Sequence, residues 1–165
     1  MPLILAAAEP IDSIFRSVSS YPYLAPTGIA GSPVTTSDAD LVSSARSVLN
    51  ELHADQLRAL RDLYEQRWSE GRAIQDIADV ARMATYGAVD TVFVDIDEVI
   101  PGWIDERTGA VTFSAADDAA SYGVVDEIAR RVWLDGGRVL AVRRDDIPGG
   151  TSVAAILRYA PGTPV

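Results

Sequence analysis

The stretch ATYGAVDTVFVDIDEVIPG, residues 84–102, decides the fold. A helical pattern stops at Gly87, and an apolar run from Val89 to Val94 follows at once. The glycine fits the position just past a helix end, where the backbone turns left-handed. A short apolar run bounded in this way reads as a buried strand. That strand ends on Asp95 and Asp97, one residue apart. In an α/β sheet, ligands are presented at the carboxyl ends of strands. The pair therefore reads either as a catalytic site or as the polar end of a buried strand, with both carboxylates facing solvent.

Working downstream, VIPGWIDERTGAVTF reads as two short strands around an Asp-Glu-Arg-Thr-Gly turn. Asp117 and Asp118 then sit where a helix N-terminus favours negative charge, and Val125, Ile128, Ala129 and Val132 form that helix's apolar face. Arg130 and Arg131 suit its last turn, and Gly136–Gly137 stop it. RVLAV (Arg138 to Val142) is a strand, RRDDIPGG a loop and TSVAAILRYA a closing strand.

Upstream, Ile74, Ile77, Ala78, Ala81 and Ala84 give the helix before the opening strand its buried face. Between Ser37 and about Glu70 neither glycine nor proline occurs, and Leu41, Ala45, Val48, Leu49, Leu52, Leu60 and Leu63 keep a helical stripe. Ser37 is a good N-cap, with Asp38 and Asp40 at the positive helix end. The result is one long helix, or two with a bend near Ala54–Asp55. Before it, Pro2 to Ala8 reads as a strand and Ile11 to Val18 as a short helix with Ile11, Ile14, Phe15 and Val18 on one face. Prolines 22, 26 and 33 with Gly28 and Gly31 mark the intervening stretch as a long loop. Residues 1–33 are expected to be the tail of an upstream domain with its linker, and residues 34–165 an α/β domain, since helices alternate with strands from residue 73 on.

The 165 residues carry 14 arginines and no lysine against 24 acidic residues, a net charge of −10. That excess repels phosphate backbones and disfavours non-specific nucleic-acid binding. Cysteine is absent, which removes disulfides, thiolate metal sites and cysteine nucleophiles and fits a cytoplasmic protein. No apolar span is long enough for a transmembrane helix. His53, the sole histidine, lies within the long helix and reads as a surface or half-buried residue. Trp68, Trp103 and Trp133, with Tyr64, Tyr86 and Tyr122, read as packing residues, Trp103 beside the hairpin turn being the one suited to anchor a partner.

Taken as chemistry, a strand ending in D-x-D resembles the first motif of the haloacid dehalogenase phosphatases. That resemblance implies Asp95 as nucleophile and magnesium ligand, Asp97 as general acid, and Asp145–Asp146 completing the magnesium site. Against it, that family uses a lysine and a small residue after its second aspartate. This chain has no lysine, and Glu98 follows Asp97. IPGGTSV (Ile147 to Val153) lacks the lysine and spacing of a phosphate loop and reads as a turn between strands.

MATYGAVDTVFVDID and the closing GGTSVAAILRY, with Ala154, Ala155, Ile156, Leu157, Arg158 and Tyr159, resemble the C-terminal domain of archaeal and eukaryotic class I peptide chain release factors and Pelota. The whole chain is similar to the bacterial relatives of these factors, and PLILAAAEPIDSIFRSVSSYPYL to the close of their middle domain. The resemblance implies a three-layer α/β/α sandwich like that of the kink-turn-binding ribosomal proteins, preceded by the long helix and a strand-helix remnant. It also implies a protein-binding module that docks a translational GTPase or ribosomal protein, without a cofactor. The family's Gly-Gly-Gln motif is absent, since Gly149–Gly150 is followed by Thr151, so peptide release by this chain is not expected. Exposed loops carry contacts, which nominates Trp103 and the hairpin tip (Asp105, Glu106, Arg107) together with Arg143, Arg144, Asp145 and Asp146.

Overall fold

The computed structural model describes residues 1–114 and 122–160. Asp117 and Asp118 lie outside the described residues. The chain divides into two compact units, residues 1–58 and 59–165. The sequence boundary expected at residue 33 falls inside the first.

In the first unit β1 (Ala6–Ala7) pairs in parallel with β2 (Ile29–Ala30), flanking α1 (Ile11–Val18). The strand expected over Pro2 to Ala8 is thus short, with only a bridge between Leu3 and Leu24 before it. Its partner lies in the stretch expected to be pure loop, where Pro26 and Gly28 interrupt the pairing between the bridge and the ladder. Arg16 fastens α1 by reaching Asp12 at 2.7 Å and the Ala25 carbonyl at 2.8 Å. The helix bounds match the sequence reading, but its apolar face does not pack: Ile11, Ile14, Phe15 and Val18 are all exposed.

α2 (Asp38–Ser69) is one uninterrupted helix that runs through the unit boundary. Ser37 caps it, accepting the Asp40 backbone N–H at 3.2 Å and donating its hydroxyl to the Asp40 carboxylate at 2.7 Å.

The second unit is a mixed α/β fold. In chain order it contains β3 (Ala73–Ile74), α3 (Ile77–Thr85), β4 (Val89–Asp95), β5 (Pro101–Ile104), β6 (Val111–Phe113), β7 (Tyr122–Gly123), α4 (Val124–Leu134), β8 (Arg138–Val142) and β9 (Val153–Leu157). The main sheet has the order β3-β9-β4-β8. β8 runs parallel to β4, whereas β9 is antiparallel to both β4 and β3. A second sheet, β6-β5-β7, is antiparallel.

β4 is the central strand, and its register sorts the core. Val89, Val92 and Val94 meet Val153, Ala155 and Leu157 and the helical residues Val80, Ala81, Ala84, Val125, Ile128 and Val132. Phe93 points to the other face, where the Tyr64 ring of α2 meets it edge-on at 6.3 Å. Burial pushes the Tyr64 phenol up to about 12. Burying aromatic and branched side chains of this kind contributes roughly 1.5–3 kcal/mol each.

α3 begins later than the sequence periodicity suggested. Ile74 belongs to β3, and the Asp76 side chain accepts the Ala78 and Asp79 N–H groups, each at 3.0 Å, to start the helix at Ile77. Gly87 closes it at φ +64°, with the Ala88 N–H donated to the Met83 carbonyl and the Gly87 N–H to the Ala84 carbonyl. This pattern satisfies carbonyls that a helix end otherwise leaves open. α4 ends in the same way at Gly136, φ +72°.

Candidate functional site

Asp95, the last residue of β4, is buried, with a side chain only 4% exposed. Its Oδ1 accepts the Asp97 backbone N–H at 3.0 Å, and its Oδ2 accepts from Arg144 Nε at 3.2 Å. The same guanidinium also binds Glu98. The Ser152 hydroxyl first, and Arg144 second, hold the Glu98 carboxyl below the usual range. The expectation that both carboxylates face solvent is therefore corrected for Asp95. Lying beside β9 and the Arg144 turn, it is a buried, paired carboxylate, whereas Asp97 is exposed and lends only its backbone to Asp95. Among the described residues no three acidic or histidine side chains gather to hold a metal ion. His53 is exposed on α2.

The Arg143–Gly150 loop is two short 3-10 turns, Arg144–Asp146 and Pro148–Gly150. Ile147 is buried between them, and Gln75 Nε2 donates to the Pro148 carbonyl at 3.0 Å. Gly149 at φ +78° packs so closely on the Gln75 amide that a Cβ there would lie 2.2 Å from its nitrogen. Of the nominated residues, Arg143 and Asp145 are exposed, Asp146 is half-buried, and Arg144 is engaged within the chain.

The hairpin turn between β5 and β6 is built by Asp105, whose Oδ1 accepts the Arg107 N–H, the Thr108 N–H and the Thr108 hydroxyl at 3.1, 2.7 and 2.7 Å. The Thr108 hydroxyl, ahead of those backbone bonds, lowers the pKa of the Asp105 carboxyl. Asp105 thus shapes the turn, and Glu106 and Arg107 are left exposed at its tip. The turn lies on α3: a Cβ at Gly109 would fall 2.6 Å from Arg82 Cα.

Beneath the turn is a residue that the sequence reading placed merely in a last helical turn. Arg131 of α4 is 9% exposed. It pairs with Glu127 at 2.8 Å and donates to Thr85 Oγ1 at 2.6 Å, to the Asp105 carbonyl at 3.2 Å and to the Ile104 carbonyl at 3.0 Å. One guanidinium thereby joins α4, α3 and the hairpin. The Arg130 guanidinium first and Arg131 second hold the Glu127 carboxyl down at about 2, against the opposing effect of burial. The signal present in the sequence was the Glu127–Arg131 spacing of four, which puts the pair on one helix face.

Trp103, 54% exposed, lines a groove of about 390 Å³ with Ile104, Glu106, Glu127, Arg130 and Arg131. Trp103 and Glu106 are therefore brought together. The other aromatics differ from expectation. Among the described side chains of that set Tyr64 is buried, whereas Trp68, Trp103, Trp133 and Tyr86 are each more than half exposed; the tryptophans sit on helix or strand positions facing away from the core, and Tyr86 lies just past the end of α3. The hairpin tip rests on the last turns of α3 and α4, which lead into the starts of β4 and β8. The Arg143–Gly150 loop follows the end of β8. The nominated residues thus form two patches, one at each end of the central strands.

This fold is that of the C-terminal domain of translation termination factors. The C-terminal domain of a peptide chain release factor from Methanosarcina mazei superposes with a TM-score of 0.55 at 17% identity, covering 78% of this chain and 99% of that one. A ribosome-bound archaeal Pelota, in a complex with ABCE1, gives 0.55 at 18% identity over 94% of this chain and 43% of its own. Dom34 of S. cerevisiae, described as a translation termination-like factor involved in RNA quality control and interacting with Hbs1, gives 0.51 at 18% identity, covering 72% and 31%. The chain therefore spans less than half the length of those two proteins. No curated protein sequence matches it. A family model described as bacterial archaeo-eukaryotic release factor family 8 matches residues 1–57. Together these bear out the resemblance to the bacterial relatives of the archaeo-eukaryotic release factors and Pelota.

Proposed function

We propose that this chain is a non-catalytic protein-binding module of a release-factor-like, ribosome-associated translation factor, acting in the cytoplasm and docking a translational GTPase or a ribosomal protein. The observation that carries the reading is the fold shared with the Methanosarcina mazei domain over 99% of that domain's length, and the family model over residues 1–57 supports it. Within it, residues 1–33 are the close of a middle domain and residues 34–165 the C-terminal domain, an α/β/α sandwich.

The docking surface we favour is the groove under Trp103 with the tip residues Asp105, Glu106 and Arg107. Large exposed aromatics beside arginine are the usual anchors of protein interfaces. A second surface is the loop carrying Arg143, Arg144, Asp145 and Asp146. The engagement of both Asp95 oxygens suits a structural carboxylate, so no phosphoryl-transfer role is assigned to it.

The test is co-sedimentation of the tagged chain with ribosomes from a bacterial lysate, followed by identification of the captured proteins. Recovery of a translational GTPase or ribosomal protein, reduced by Trp103→Ala, supports the reading. Capture that contains no translation component overturns it.

A further inference from the structure

The main sheet ends in two unlike edges. β3 is only two residues long. β8 is five residues long, Arg138–Val142, and among the described residues no strand pairs with its outer side. The direction of its backbone groups follows from one bond, the Ile96 N–H donated to the Val142 carbonyl at 3.0 Å. Val142 therefore faces β4, and by the alternation of a strand so do Leu140 and Arg138. Val139 and Ala141 turn their N–H and C=O groups away from the sheet. Proteins blunt such edges with proline, bulges or inward charges. β8 has no proline and keeps an unbroken register with β4, and Val139 to Val142 are all apolar. Arg138 and Arg143 stand exposed at its two ends, and neither forms an ion pair among the described residues.

We propose that the outer edge of β8 accepts an extended acidic segment of a partner protein, which adds a fifth strand to the sheet. This inference stands on the sheet alone and is independent of the translation reading. Backbone groups of Val139 and Ala141 supply the ladder, as in other cases of strand addition. Charge selects the occupant. Arg138 and Arg143 make a positive pair on a chain whose net charge is −10. A second copy is disfavoured, since its own β8 is flanked by Arg138 and Arg143 and brings further positive charge to this edge, not the carboxylates these arginines lack.

The experiment uses the full chain, a short capped peptide alternating glutamate with valine, and its lysine-for-glutamate counterpart. The acidic peptide binds with a Kd on the order of 100 µM or tighter, and the basic one about tenfold more weakly. Amide exchange at Val139 and Ala141 slows about tenfold in the complex, whereas at Leu140 and Val142 it is unchanged. Ala141→Pro removes an outward donor that the folded sheet does not use, so the fold persists and binding is lost. Arg138→Glu with Arg143→Glu reverses the preference between the two peptides, a readout that does not depend on the proline variant. The proposal is overturned by equal binding of both peptides, by absence of binding, by protection at other residues, or by a dimer that Ala141→Pro dissolves.

Discussion

Arg131 Nη1 of α4 lies 2.6 Å from Thr85 Oγ1 at the end of α3, and the same guanidinium reaches two carbonyls of the β5 hairpin. The contact fixes the surface on which Trp103 and the hairpin tip are displayed. Replacing Arg131 by methionine removes the guanidinium donor to the Ile104 carbonyl, one of two donors to the Asp105 carbonyl and one of the two arginines at Glu127. A loss of about 3 kcal/mol is expected, within the range for breaking a buried charged network. Thr85→Val removes two bonds, the one accepted from Arg131 and the one donated to the Ala81 carbonyl, and costs about 1–2 kcal/mol. Urea unfolding of both variants checks the ranking.

The Glu127 carboxyl gives the fold an acid-sensitive contribution. Its pKa falls from 4.5 to about 2 on folding, by pairing with Arg130 and then Arg131. Between those values the unfolded chain binds the proton and the folded chain does not, so stability rises with pH there. The contribution is fully present above 4.5 and is lost as pH falls toward about 2. Glu127→Gln should flatten the dependence of the thermal midpoint on pH over this window while leaving its shape above pH 6 unchanged, about two units clear of the carboxylate range.

Asp95 and Arg144 should behave as a structural pair. Asp95→Asn keeps an acceptor for the Asp97 N–H and loses the charge, at a cost of about 1–2 kcal/mol. Arg144→Ala, whose own side chain is half exposed and therefore screened, costs less. A double-mutant cycle between them should give a coupling of about 1 kcal/mol, and magnesium should leave the melting temperature of the wild-type chain unmoved. A magnesium-dependent rise that vanishes in Asp95→Asn would reinstate the metal reading.

Gly109 tests how the hairpin is seated. Its φ is +71°, and a Cβ would meet Arg82 Cα at 2.6 Å and Thr85 Oγ1 at 2.8 Å. Gly109→Ala should cost about 2–3 kcal/mol, combining left-handed strain with steric displacement. Gly136→Ala, at φ +72° but with nothing within 4 Å of its Cβ, should cost only about 1–2 kcal/mol. Comparing the two melting temperatures separates backbone strain from packing.

The sequence was legible where periodicity and punctuation agree. The opening strand, the glycine before it and the bounds of α1 could all be read because an apolar run met a clear stop. α3 was read too long, because β3 has only two residues and cannot display a period of its own, although Asp76 was available as an N-cap. The tryptophans misled because a large apolar side chain counts toward a core in composition, whatever face it occupies; Trp133 on α4 is 70% exposed beside a fully packed Val132. For the candidate site, Trp103 in β5 and Glu106 at the hairpin tip could be nominated from their places beside the turn. The roles of Arg131 and Arg144 were not legible, because their partners lie up to 49 residues away and are brought near only by the fold.

The separation of the two patches has a consequence for how such a module works. β4 has seven residues, a rise of about 23 Å at 3.3 Å each. Were both the tryptophan groove and the Arg143 loop occupied, the two sets of contacts would lie about that far apart. A rigid strand running between the two would then act as a gauge, fixing the spacing at which both visitors are held.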